Sequence, residues 1–217
     1  MKKSVSLKLI VFTLLLVTAN ITYSEDPEFK KGSGQDSTVA GVASDASGEK
    51  SSAFGYNSLA TGSNSLAAGY KNTANGKSSS SVGWQNSAEG DYASAFGYFN
   101  KAYEHRSSAF GSNNTASGEW SSAFGSNNTA SGKRSSAFGN QNRASGIESS
   151  VFGSEYQVTG ERSGAFGVGV ANWNNTTNQY DYSYINEGNN SYMIGNFNKI
   201  ASGSNDNFIL GNNVSIG

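Results

Sequence analysis

The sequence predicts an all-β fold, a parallel β-solenoid wound from 14-residue coils, and three observations point to it. Glycine recurs at Gly41, Gly55 and every fourteenth position as far as Gly167, ten times in succession. Large aliphatic residues are scarce: Leu, Ile, Val and Phe make up 39 of 217 residues, below the usual globular share. The chain nevertheless lacks the signature of disorder, because its formal charge is −1 and it holds 12 Phe, 11 Tyr and 3 Trp. A regular fold that buries backbone and small side chains reconciles all three.

In chain order, residues 1–24 read as a secretory signal peptide. Lys2, Lys3 and Lys8 form a basic start, Leu9 to Val17 a short apolar run, and Thr22-Tyr23-Ser24 a small-residue cut site before Glu25. The run is shorter than the ~20 residues a bilayer crossing needs. Removing the peptide leaves 12 basic residues against 16 acidic, with no basic stripe, so nucleic acid is not an expected partner. Residues 25–36 are a lead-in, 37–170 the repeats, 171–190 an inserted loop, and 191–217 further repeats.

The repeat consensus is S-S-A-F-G-x-x-N-x-A-S-G-x-x, cleanest from Ser107 to Arg134. Fourteen residues are too few for a helix pair or a propeller blade. They suit one coil of two short strands and two tight turns. Such a thin coil has room inside only for small groups. One Ala column, from Ala53 to Ala165, and a second, from Ala46 to Ala144, supply them. The recurrent Asn at positions 72 to 142 is placed to form an amide ladder from coil to coil. Glycine serves the turns.

Seven Phe fill one further column: Phe54, Phe96, Phe110, Phe124, Phe138, Phe152 and Phe166. Strand alternation places them opposite the adjacent Ala. With Ala inside, the Phe form an apolar stripe along the rod, which calls for a partner surface. Self-association with cyclic symmetry is the economical cover, since every coil carries the same stripe. The alternative is Phe inside and Ala outside, and then a monomer could stand alone.

The S-S-A-F-G motif with A-S-G seven residues later, from about Thr38 to Gly167 and resuming at Ser191, resembles the head repeats of YadA-like trimeric autotransporter adhesins. The resemblance implies a left-handed parallel β-roll in a homotrimeric head, projecting from a Gram-negative outer membrane to bind host cell-surface proteins or extracellular matrix. The Asn- and Lys-rich sequence is most similar to fusobacterial members, some of which bind CEACAM receptors. No heptad-patterned stalk or C-terminal barrel segment follows in this sequence. The expectation is therefore a head fragment whose outer-membrane anchor lies elsewhere. Phe is bulkier than the Ile or Val common in this column of the family.

Two regions stand out as candidate receptor contacts. Tyr56, Tyr70, Trp84 and Tyr98 follow the period glycine in four consecutive coils, where later coils carry Ser112, Ser126, Asn140 and Ser154. Phe99 and Tyr103 thicken this patch in the coil where Glu104 replaces the second glycine, beside His105 and Arg106. Aromatic anchors of this kind dominate protein interfaces, although the favoured reading of the stack is that it stiffens the rod or seals its subunit seam. The second region is the insertion, with Trp173, Tyr180, Tyr182 and Tyr184, since solenoid insertions form loops that often bind. The bland reading there is a packing loop. His105 alone reads as an exposed turn residue.

Enzymatic function is not expected. Cysteine is absent, one His remains, and the 16 acidic residues are spread through variable columns. Neither a catalytic constellation nor a metal or cofactor site is discernible. The calcium-binding G-G-x-G-x-D motif never occurs, and Thr is too scattered for an ice-binding face.

Overall fold

The computed structural model describes residues 29–217. The expected signal peptide, residues 1–24, lies outside the described residues. Every regular element described is a strand. Two parallel sheets run the length of the molecule. One contains 13 strands, parallel except for the first, mostly five residues long and typified by Ser108–Ser112; the other contains 12, each two residues long and typified by Thr115–Ala116. The chain alternates between them, so each coil adds one rung to both sheets. Twelve rungs at about 4.8 Å give a rod of roughly 55 Å.

Pairing is in register from one coil to the next: Ser108 faces Ser122, Ala109 faces Ala123, and Phe110 faces Phe124. Four columns fill the interior. The two Ala columns are buried, and so are the Asn column and a Ser column that includes Ser107, Ser121 and Ser135. Larger side chains replace Ala towards the C-terminal end, where Val151, Val158, Met193, Ile200 and Ile209 are all buried.

The amide ladder explains how Asn can sit in so narrow a core. Asn128 Nδ2 donates to the Phe124 carbonyl at 2.9 Å and to the Gly139 carbonyl of the next coil at 2.7 Å, with Asn114 Oδ1 sharing one of its two hydrogens at 3.1 Å. Its Oδ1 accepts the Asn142 backbone N–H at 3.0 Å. Every polar atom of the side chain is therefore partnered. Asn128→Ala strips these bonds from buried groups and is expected to cost about 2–4 kcal/mol. Thermal unfolding checks this, and an unshifted midpoint would leave the ladder without a stabilising role.

The turns are tight and left-handed. Each regular coil places two residues other than glycine at positive φ, for example Asn113 at 55° and Trp120 at 63°. Asn tolerates that region; bulky residues there are strained. At the N-terminal end, Lys30–Lys31 pairs antiparallel with Thr38–Val39 and closes the first edge of the long-strand sheet. Phe29 meets the Phe54 ring edge-on at 5.8 Å. An edge capped with lysines resists further strand addition.

The insertion differs from the expected loop. Ala171–Asn174 and Gln179–Tyr182 form an antiparallel hairpin, with Trp173 opposite Tyr180 and Ala171 opposite Tyr182. The stack closes beneath it, since Gln157 pairs directly with Ile185 and Phe166 with Ile194.

Candidate functional site

The Phe column lies outside the coil, with Ala in. Phe96, Phe110, Phe124, Phe138, Phe152 and Phe166 stack face to face in one pile, centroids 4.8–5.0 Å apart and planes within 7°. The pile shields the middle rings, yet Phe152 and Phe166 remain 38 % exposed. Phe54 stands apart from it, because Ala68 and Val82 occupy the column in the intervening coils. Ile194 and Leu210 extend the stripe beyond Phe166.

The aromatic ladder at the first turn divides into two groups. Tyr56, Tyr70 and Trp84 stack with centroid distances of 5.2 and 3.9 Å. Trp84 is 43 % exposed, and its indole N–H donates to Gln85 Oε1 at 2.8 Å. In the next coil Tyr98 packs edge-on against Phe99 at 4.5 Å. Phe99 has φ 54°, a conformation its side chain disfavours. Tyr103, also exposed, comes after the short strand Lys101–Ala102 and so sits at the second turn, not with Phe99.

That second turn holds a cluster the sequence reading missed. Arg106 lies over Trp120 at 4.2 Å and Tyr92 at 5.6 Å, an aromatic–cation–aromatic sandwich across three successive coils. His105 is half-buried, edge-on to both rings at 5.6 and 5.9 Å, so it is not a plain exposed turn residue. Tyr92, Arg106 and Trp120 all have positive φ. Ser78, Arg134 and Glu148 stand at positive φ in the same column of neighbouring coils, so nothing in the sequence singles the cluster out. Glu119 accepts from both the Trp120 indole and Lys133, which holds its carboxyl below the usual range. This turn carries mixed charge, with Arg134 bridging to Glu148 at 2.9 Å.

The hairpin folds back over the short-strand sheet. Trp173 and Tyr180 meet edge-on at 5.0 Å, and with Tyr182 they wall a cleft of about 350 Å³ floored by Asn127, Thr129 and Arg143. Burial pushes the Tyr182 phenol up to about 12, against the opposing influence of Arg143. It is therefore a neutral donor at ordinary pH. Tyr184 is set apart from the cleft, tilted against Phe197 and packed on the core. Tyr156, which takes the place of Asn in the ladder column, is fully buried. Its hydroxyl donates to the Gly195 carbonyl at 3.0 Å and accepts the Asn198 N–H at 2.9 Å, which ties the coils on either side of the hairpin together.

Among the described residues, no group of three or more His, Cys, Asp or Glu is arranged to hold a metal ion. No helix there is long and apolar enough to cross a membrane. The family model described as "YadA head domain repeat (2 copies)" matches residues 33–58, 60–86, 74–100, 88–114, 102–128 and 130–155, more than half of the chain. No curated protein matches it.

Proposed function

The chain belongs to the YadA head family, and on that premise we propose that it is the head of a trimeric autotransporter adhesin on a Gram-negative cell surface. In this reading residues 1–24 direct export, residues 25–36 lead in to the rod, residues 37–170 and 191–217 form the rod, and residues 171–190 decorate it. The partner is a host surface protein, such as a CEACAM-type receptor, or a matrix component. The observation that carries the reading is the outward Phe pile. A continuous apolar stripe needs cover, and three identical stripes meeting on one axis supply it. Trimerisation then presents every aromatic surface three times, and avidity can raise attachment by about 10²–10⁴.

The rings best placed to anchor a partner are Tyr56, Tyr70, Trp84, Tyr98 and Phe99 along the first turn, with Tyr103 across the coil. The hairpin adds Trp173, Tyr180 and Tyr182; Tyr184 supports it from beneath. Replacing Trp84, Tyr98 and Phe99 together with Ala is expected to reduce attachment of displaying bacteria to host cells about tenfold or more while the trimer mass stays unchanged. A second reading, a spacer or autoaggregation module, is favoured by the close Tyr70–Trp84 stack, since rings that spend their faces on each other stiffen a rod. Attachment that survives both the triple substitution and deletion of the head selects that reading.

A further inference from the structure

The hairpin cleft has the lining of a sugar site rather than of a protein-docking groove. Trp173 stands half exposed at its wall, and the amides of Asn113, Asn127 and Gln179 surround it with hydrogen-bonding groups. Its volume, about 350 Å³, lies at the small end of ligand pockets, roughly 300–1,000 Å³. Protein anchors would find little apolar depth here. Saccharides present an apolar ring face and a rim of hydroxyls, which an aromatic wall and an amide floor complement.

Arg143 gives the cleft its charge. Its Nε is buried and has no hydrogen-bond partner. That atom is closed to solvent, so a ligand in the cleft would be met by the terminal N–H groups of the guanidinium, which present a fork suited to a carboxylate or sulfate. Two carboxylates lie nearby, each with one oxygen engaged by the hairpin. Glu155 Oε2 accepts the Ala171 N–H at 3.0 Å, and Asp181 Oδ2 accepts from Asn174 at 2.9 Å. By strand alternation Asp181 faces away from Tyr180 and Tyr182.

We propose that this cleft binds an anionic saccharide, with the sugar ring against Trp173 and a carboxylate or sulfate accepting from Arg143. The assignment rests on the attachment reading and names the ligand class of its hairpin surface. The cleft lies over the short strands and the Phe stripe on the long ones, so assembly through the stripe leaves three clefts outside the seam.

The test is calorimetric titration of the full chain with 3′-sialyllactose, with a sulfated heparin tetrasaccharide, and with lactose. One of the two anionic sugars should bind, which identifies carboxylate or sulfate, and lactose should bind at least tenfold more weakly. Arg143→Gln should cost about tenfold or more, the scale of one charge-assisted hydrogen bond. Arg143→Lys should recover part of that loss, and Trp173→Ala should weaken binding of that anionic sugar at unchanged trimer mass. Binding of neither anionic sugar, or binding indifferent to Arg143→Gln, overturns the proposal. Bacterial attachment to host cells is measured in parallel. If attachment persists without sugar binding, only the ligand assignment fails; loss of specific attachment in the unsubstituted protein defeats the attachment reading itself.

Discussion

Alanine in place of Gly125 is expected to collapse the rod near its middle, at a cost of roughly 4–6 kcal/mol. Two penalties coincide there. Gly125 has φ +115°, which side chains rarely adopt, and an added methyl would overlap the carbonyl oxygen of Gly139 in the next coil. That same oxygen accepts the Asn128 Nδ2 bond, so moving it to relieve the clash breaks a rung of the amide ladder. Ser126→Ala, one residue further along, is the control and should shift stability by no more than about 0.5 kcal/mol. Denaturant unfolding followed by circular dichroism reads both. If Gly125→Ala unfolds at the wild-type midpoint, the period glycine is not a conformational necessity.

Phe124→Asp is expected to have the largest effect on assembly. The ring sits between Phe110 and Phe138 at 4.8 and 4.9 Å, at the centre of the pile. In a trimer sealed by the stripe, the substitution brings three carboxylates into one apolar seam, and each uncompensated buried charge costs several kcal/mol. Light scattering should therefore report a monomer where the unsubstituted chain gives a trimer. The β-sheet signal should persist, because the side chain lies outside the coil and the Ala and Asn columns are untouched. A trimer that tolerates Phe124→Asp would move the seam to another face and remove the stripe from the assembly argument.

Much of the rod is written in the order of residues, because a parallel in-register stack repeats its chemistry at every rung. Alternation along Ser108–Ser112 puts Ala109 and Phe110 on opposite faces but leaves open which is inside; the structure buries Ala109. The Asn ladder follows from the same register. Contacts that depend on different residue types meeting across coils were not legible in this way. Tyr92, Arg106 and Trp120 share a column but no chemistry by which a consensus would group them, and only the turn geometry reveals the sandwich. Tyr156 reads as a lapse in the Asn column until its hydroxyl is seen reaching Gly195, 39 residues away. The insertion was visible as a break in period, but neither its hairpin pairing nor its landing place over Thr129 and Arg143 is encoded locally. Proximity in sequence groups Tyr103 with Phe99, but the short strand between them carries it to the other turn.

The hairpin departs and returns at a whole multiple of the period: Phe166 pairs with Ile194, and Arg162 bonds Asn190 across a separation of 28 residues, twice the ordinary step of 14. The excursion thus leaves the rungs above and below in phase, as a bay window leaves the storeys of a tower aligned. A scaffold with this property can exchange its protrusion for another of different chemistry that also spans whole periods, without retuning the masonry. Recognition and support can then evolve at separate rates within one continuous polypeptide.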